Sequence, residues 1–270
     1  TRATVKRLKE QLKQQSILVS GESGAGKTFA ARAVVHELVR LSLLSRGAET
    51  KRRASLASSP DDARAGSQHY ETQLEQASPL LEAFGNASTE MNHNSSRFGR
   101  WTRIIYDSQG RIIEGAAVEE FLLEKGRVTK IGYKERNYHI FYQLIAGCSP
   151  SQKSSFKLNS DVQHYLWLRK GKTGSEGIDD GGAFGATAAA MSSVGMDQEQ
   201  IDDIFRLLSG LLALGNVEPS EDEADESRSV IEDSDDLHAA AALLGLEPAN
   251  LKHSITVRTI IVRGETQEIP

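Results

Sequence analysis

The feature that most constrains the fold is the glycine-rich segment 21–28, Gly-Glu-Ser-Gly-Ala-Gly-Lys-Thr. It fits the pattern in which two glycines, separated by four residues, precede a lysine and a hydroxyl residue. Glycines let consecutive backbone N–H groups point into one concave anion site that a β-carbon would obstruct. Lys27 adds a compact positive charge, and the Thr28 hydroxyl suits Mg²⁺. The segment therefore predicts a site for the triphosphate of a nucleotide.

The flanking sequence supplies the context that such a loop requires. Residues 16–20, Ser-Ile-Leu-Val-Ser, form a short, partly β-branched apolar run that predicts a buried strand. After Lys27, apolar residues at helical spacing predict a helix to about residue 44. The N-terminal dipole of that helix favours an anion at the loop. This order of strand, loop and helix predicts a parallel-type βα unit.

The rest of the chain reads as a mixed α/β (α+β) fold, with hairpins early and mostly helices late. Residues 107–110 read as the turn of a hairpin between strands 101–107 and 111–120, followed by a third extended stretch to residue 128. Residues 45–68 have no periodicity and predict a flexible surface loop, and residues 171–182 a glycine-rich loop. A final extended segment is predicted over 255–262. Helices are predicted over 4–14, 70–84, 137–146, 183–192, 197–214 and 236–244.

The charge distribution and the cysteine content limit the binding partners and the cellular compartment that we expect for this chain. Ten of the acidic residues lie between residues 218 and 236 against one base, Arg228, which predicts a solvated, disordered acidic insert. The chain carries a net charge of −5, and its remainder outside this segment is mildly basic. A mildly basic body suits a polyphosphate and gives no case for nucleic acid. The single cysteine, Cys148, fits a reducing compartment, and no apolar run is long enough for a transmembrane helix. Because the chain starts without methionine, we expect it to begin inside a longer protein.

A second candidate nucleotide element lies at residues 92–100, Asn-His-Asn-Ser-Ser-Arg-Phe-Gly-Arg. Short hydroxyl and amide side chains beside an arginine can order Mg²⁺, a γ-phosphate and an attacking water. The same composition also fits an ordinary polar turn, so the residues alone leave both readings open. His93 raises a metal-ligand reading, which the lack of a cysteine or second histidine at ligand spacing disfavours.

Together these segments resemble the motor head of the myosin family. Residues 15–28 are similar to its phosphate loop, and residues 80–87 followed by 92–100 to the segment that leads into its switch I. Further similarity lies at 121–128 (Phe-Leu-Leu-Glu-Lys-Gly-Arg-Val), 136–144 (Arg-Asn-Tyr-His-Ile-Phe-Tyr-Gln-Leu), 178–180 and 211–217. The resemblance spans nearly the whole chain.

The resemblance implies an actin-activated, Mg-ATP-hydrolysing motor that acts in the cytoplasm on the actin cytoskeleton. It implies a piece of a P-loop NTPase core over 1–130 and a mostly helical upper actin-cleft subdomain over 131–270. ATP, ADP and Mg²⁺ are the implied ligands and actin filaments the implied partner, with light chains or calmodulin bound only through regions outside this sequence. The implied catalytic residues are Lys27, Ser95 and Arg97, and the implied metal ligands are Thr28 and Ser96. The implied phosphate contacts are Gly21, Glu22, Ser23, Gly24, Ala25, Gly26, Lys27, Thr28, Asn92, Ser95 and Ser96.

The chain departs from the family pattern in a few places. Phe29 stands where the family usually has glutamate, and Arg100 replaces a common lysine. The switch II motif Asp-Ile-x-Gly-Phe-Glu, whose glutamate pairs in the family with the arginine at position 97, does not occur in the sequence. We therefore expect an internal piece of a motor head that shows little actin-activated turnover in isolation.

Other readings remain beside the motor. A nucleotide kinase would need a lid with substrate arginines and would lack the 92–100 block. A truncated or pseudo-enzyme scaffold, which binds nucleotide without motor activity, would explain the missing switch II. Arg52-Arg53-Ala54-Ser55 also resembles a basophilic kinase site, so Ser55 is a candidate for phosphorylation.

Overall fold

The computed structural model describes residues 1–22, 24–56, 73, 76–174, 177–222, 225–262 and 265–269. Helices and strands are mixed along the chain, as the α/β class predicts. The chain divides into two compact units, one of Thr1–Glu124 with Ala186–Gly195 and one of Lys125–Gly185 with Met196–Pro270. No helix in the described part of the chain is both long and apolar enough to cross a membrane.

The first unit joins a long helix to an antiparallel hairpin. Its elements are α1 (Arg2–Gln11), α2 (Lys27–Leu56), α3 (Ser78–Gly85), β1 (Asn86–Ala87), β2 (Ser95–Ser96), β3 (Gly99–Tyr106) and β4 (Ile113–Phe121). β1 pairs with β2 and β3 with β4, both antiparallel. The hairpin is fixed to α2 where the fully buried Ser42 accepts a hydrogen bond from the backbone N–H of Ile113 at 2.8 Å. Arg46 donates to the carbonyl of the same residue at 3.1 Å.

The predicted hairpin turn at residues 107–110 is confirmed. The Asp107 carboxylate accepts from the backbone N–H groups of Arg111 and Ile112 at 2.6 and 3.2 Å. Gly110 has a φ of 63°, in the left-handed region that favours glycine. The role of Asp107 is therefore to close the turn.

Three predictions for the first unit need correction. Residues 16–20 do not form a strand, and the Leu18 side chain is 87% exposed. A strand needs a neighbour that takes up its backbone hydrogen bonds, and no described strand pairs with this segment. The parallel βα unit is wrong for the same reason, since every described sheet is a two-stranded antiparallel pair.

The flexible loop predicted from residue 45 is also wrong over 45–56, because α2 continues to Leu56. A β-carbon at Gly47 would meet no atom within 4 Å, so space does not require glycine at this position of the helix. Residues 57–68 of the predicted loop lie outside the described residues. The helix predicted over 70–84 is confirmed over α3 and at residues 73 and 76, and residues 70–72 and 74–75 lie outside the described part.

The second unit is mostly helical. It begins with a 3₁₀ turn at Lys125–Val128, where a third extended stretch was predicted. α7 (Asp180–Ser193) starts in this unit and runs on into the segment assigned to the first. A second 3₁₀ turn lies at Val162–His164. The other elements are α4 (His139–Gly147), α5 (Pro150–Ser155), α6 (Leu166–Arg169), α8 (Gln198–Leu214), β5 (Ser220–Asp222), β6 (Asp225–Val230), α9 (Asp235–Leu244), α10 (Pro248–Thr256), β7 (Arg258–Val262) and β8 (Glu265–Ile269).

Buried apolar side chains and close helix packing hold this unit together. Helix α4 is buried along most of its length, with Tyr142, Leu144 and Ile145 at most 2% exposed. Helices α8 and α9 pack closely at Gly210, where an added β-carbon would lie 3.0 Å from a Leu244 methyl carbon. The predicted helices at 137–146, 183–192, 197–214 and 236–244 are thus confirmed with small changes at their ends.

The acidic segment 218–236 is a hairpin rather than a disordered insert over its described residues. β5 pairs antiparallel with β6, and Ile231 is buried in the cluster that includes Leu237 and Leu251. Ser234 then caps α9 by accepting from the Leu237 N–H at 3.2 Å. The predicted final strand 255–262 begins later, at Arg258, because residues 248–256 continue as α10.

Candidate functional site

The predicted phosphate loop leads directly into the first turn of α2. Gly24 and Gly26 have φ angles of 79° and 80°, which non-glycine residues rarely adopt. A β-carbon at either position would meet no atom within 4 Å, so backbone conformation rather than space requires glycine there. Helix α2 begins at Lys27, and its first N–H groups have no partner within the helix. The loop thus offers backbone donors and the positive end of a 30-residue helix.

Lys27 lies against its own loop. Its ammonium donates to the backbone carbonyl of Glu22 at 2.6 Å, and the Ala25 N–H donates to the same carbonyl at 3.2 Å. An arriving phosphate would therefore compete with one carbonyl for the ammonium. Gly21, Glu22 and Ala25 are exposed, and Ser23 lies outside the described residues.

The first turn of α2 lies beside β2 at a pair of hydroxyl groups. The Thr28 and Ser96 hydroxyl oxygens are 3.4 Å apart, although 68 residues separate them in the chain. Two oxygens that ligate one Mg²⁺ at about 2.1 Å can be at most about 4.2 Å apart. The 3.4 Å separation lies within this limit and slightly above the separation of about 3.0 Å between adjacent oxygens of a regular octahedron. Thr28 and Ser96 are the two residues that the resemblance implies as Mg²⁺ ligands.

Backbone pairing holds Ser95 and Ser96 in this position. Asn86 lies opposite Ser96 and Ala87 opposite Ser95 in the β1–β2 register. The next residue, Arg97, donates its backbone N–H to the Gly85 carbonyl at 2.8 Å. The serine pair is thus fixed by the chain that follows α3.

Arg97 is held by an acid that sequence reasoning did not assign. Its Nε donates to the Glu124 carboxylate at 2.6 Å, and its Nη1 donates to the Ser95 hydroxyl at 3.1 Å. The backbone N–H of Glu124 also donates to the Arg97 carbonyl at 3.0 Å. Glu124 stands in the family-like run at residues 121–128, and an acid in a shared motif was the available signal.

Asn92 is engaged in a local turn. Its side-chain oxygen accepts from the Asn94 N–H at 3.0 Å, and its backbone carbonyl accepts from the Thr89 N–H at 2.9 Å. No hydrogen bond among the described residues joins it to residues 21–28. The structure therefore brings Lys27, Thr28, Ser95, Ser96 and Arg97 into one region, while the hydrogen bonds of Asn92 stay within its own turn.

A second unassigned acid, Glu82, connects the elements around the site. It pairs with Arg32, one turn beyond Thr28 on α2, and accepts from the Asn94 side chain at 3.1 Å. Asn94 in turn accepts from the Asn86 amide at 2.9 Å. This polar chain ties α2, α3 and the turn before β2 together.

The fold mixes helices and strands. A phosphate-loop sequence leads into a long helix, and the Ser96 hydroxyl lies beside Thr28 in the first turn of that helix. The chain belongs to the myosin head (motor domain) family, whose model matches residues 1–270.

Curated myosins from several organisms are similar over almost the whole chain. Myosin-51 of Schizosaccharomyces pombe is 38% identical over 94% of this chain, and Myosin-52 of the same organism is 35% identical over 96%. Unconventional myosin heavy chain 6 of Caenorhabditis elegans is 37% identical over 96% of the chain. The chain spans only 11–16% of the length of these three relatives.

Proposed function

We propose that this chain forms the phosphate-loop and switch I side of a Mg-ATP site in an actin-based motor. The observation that carries the proposal is the 3.4 Å approach of the Thr28 and Ser96 hydroxyls. Thr28 lies in the first turn of the helix after the glycine loop, and Ser96 belongs to the segment 92–100 that resembles switch I. In this proposal residues 1–130 belong to a P-loop NTPase core and residues 131–270 to the helical upper actin-cleft subdomain.

Thr28 and Ser96 would hold Mg²⁺, which when bound neutralises charge on the β- and γ-phosphate oxygens. Lys27 exchanges the Glu22 carbonyl for phosphate oxygens, and the backbone N–H groups of the loop donate to the same anion. These groups bind and orient the triphosphate.

Ser95 and Arg97, in the segment that resembles switch I, act at the γ-phosphate end of the nucleotide. Ser95 is buried, and its hydroxyl is oriented by the Arg97 guanidinium, so it can position a water near the γ-phosphate. Arg97 supplies positive charge where charge develops in the transition state. Asn92 would reach the phosphates only after its local turn opens.

In the whole protein this site would couple ATP hydrolysis to movement on actin filaments of the cytoskeleton. The alternative is a scaffold that binds nucleotide without turnover. One contact favours that alternative, since Arg97 is already paired with Glu124 and so is not free to complete a closed site.

Nucleotide binding tests the site itself. Mg-ADP affinity, measured by isothermal titration, should fall roughly ten- to a hundred-fold in Lys27→Ala, because charge-assisted bonds to the phosphates are lost. Thr28→Ala combined with Ser96→Ala should remove the magnesium dependence of binding. Lys9→Ala, an exposed lysine of α1, is the matched control and should bind as the unchanged protein does. Equal affinity in all variants would overturn the assignment.

Turnover separates the motor from the scaffold. The ATPase rate of the whole protein should rise when actin filaments are added, and this rise should disappear in Arg97→Ala. Tight Mg-ATP binding with no turnover, with or without actin, would support the scaffold instead.

A further inference from the structure

A cavity of about 380 Å³ lies in the first unit between α2, α3 and the β3–β4 hairpin. Three basic side chains line it, Arg32 and His36 from α2 and Arg100 from β3. Of the described residues on its wall, none is acidic. Its volume is in the range of sites for small molecules. Lys27 and Thr28 are not part of its wall, so it is separate from the phosphate loop.

The positive charge of this cavity is only partly balanced. Arg32 pairs with Glu82. Arg100 forms no ion pair or hydrogen bond with any described residue, and Glu120, opposite it in the hairpin register, is exposed. Burial, and then the nearby charge of Arg32, lower the pKa of Arg100. A half-buried guanidinium beside a like charge is unfavourable unless an anion accompanies it.

We propose that this cavity binds a small soluble phosphorylated anion, with Arg100 as its principal ligand and Arg32 and His36 as flanking donors. The planar fork of a guanidinium matches two phosphate oxygens at once, which makes arginine well suited to this role. The remaining wall is largely apolar, with Val35, Pro79 and Leu81 available to contact the organic part of such a molecule.

The position of the cavity gives its ligand a route to the nucleotide elements. Arg32 lies one turn after Thr28 on α2, and Arg100 follows Arg97 by three residues. An anion that attracts Arg32 competes with Glu82, which also holds Asn94 in the turn before β2. A ligand in the cavity would therefore shift the position of Ser95 and Ser96 through Glu82 and Asn94.

Titration with inorganic phosphate at constant ionic strength tests the proposal. All variants carry Lys27→Ala, which weakens phosphate binding at the loop, and circular dichroism checks that each variant is folded. In this background we expect saturable binding that weakens roughly ten-fold or more in Arg100→Met. Arg103→Met is the matched control on the same strand, because Arg103 is exposed and paired with Glu119.

A further variant guards against a folding defect at Arg100. Thr102→Asp places a carboxylate in the cavity wall, so it should abolish phosphate binding and raise the thermal unfolding temperature by supplying the missing counter-charge. No saturable binding in the Lys27→Ala background, or equal binding with and without Arg100, would overturn the proposal. Neither result affects Mg-ADP binding, which is measured with Lys27 intact. The proposals for the nucleotide site and for the cavity are therefore tested independently.

Discussion

The contact between Arg97 and Glu124 makes a quantitative prediction about closure of the nucleotide site. In the family, the arginine at position 97 pairs with a switch II glutamate when the site closes. Here the same guanidinium donates to Glu124 at 2.6 Å, so under the proposed function this contact has to break before the site closes. Glu124→Gln keeps the shape of the side chain and the backbone bond to the Arg97 carbonyl but removes the charge. We therefore expect the substitution to favour the closed site.

The size of the effect follows from exposure. A hydrogen bond to a charged group contributes about 1.5–3 kcal/mol when buried. The Arg97 and Glu124 side chains are 27% and 41% exposed, so solvent screening reduces this to about 1 kcal/mol. A change of about 1 kcal/mol corresponds to roughly a five-fold shift in an equilibrium.

Single-turnover kinetics of the whole protein measure this shift. The rate of ATP hydrolysis in Glu124→Gln should rise up to about five-fold if closure limits it, while Mg-ADP affinity stays within about two-fold. Glu119→Gln is the matched control, because Glu119 pairs with Arg103 and is 44% exposed on the neighbouring hairpin. A fall in rate to the level of Arg97→Ala would refute the reasoning and make Glu124 a partner that positions Arg97 for catalysis.

Three further predictions concern packing and burial. Gly85→Ala should lower the free energy of unfolding by about 1–3 kcal/mol and weaken Mg-nucleotide binding. The reason is that a β-carbon would lie 2.2 Å from the Phe98 ring and displace Ser95 and Ser96. Scanning calorimetry checks the stability and titration calorimetry the binding. Asp180→Asn should cost about 3–5 kcal/mol in urea unfolding, since it leaves the fully buried Arg136 guanidinium without its ion-pair partner, and a cost below 1 kcal/mol would contradict it. Burial, and then the charge of Arg136, lower the pKa of His139 from 6.5 to about 4. The unfolded chain therefore takes up this proton first, and about 3 kcal/mol of stability should be lost as pH falls from 6.5 towards 4, with a shallower loss in His139→Gln.

The elements that sequence predicted well are those whose causes are local. The 101–120 hairpin follows from alternating side chains and a turn closed by Asp107 and Gly110, all within a few residues. The strand predicted at 16–20 is absent, because a strand exists only with a neighbour and the residues of this segment cannot show whether one is present. The acidic segment was misread for a related reason, since its charge suggested disorder while Ile231 and Ser234 anchor it to the second unit.

The site shows the same division. The loop at 21–28 could be predicted from its own glycines. The approach of Thr28 to Ser96 joins residues 68 positions apart, and only the family resemblance predicted that they share a site. Glu82 and Glu124 lie in runs that resemble the family, but the arginine that each one pairs with becomes apparent only in the fold.

The length of α2 changes what the stretch after residue 44 can tolerate. A loop absorbs an added residue, but in an α-helix each insertion rotates everything beyond it by about 100° and moves it by about 1.5 Å. Residues 45–56 continue the helix that begins at Lys27, and the helix as a whole spans about 45 Å. The backbone of the basic run ending at Ser55 therefore keeps a fixed rotation about the helix axis relative to the phosphate loop. We expect insertions and deletions in the chain to be found beyond residue 56 rather than before it.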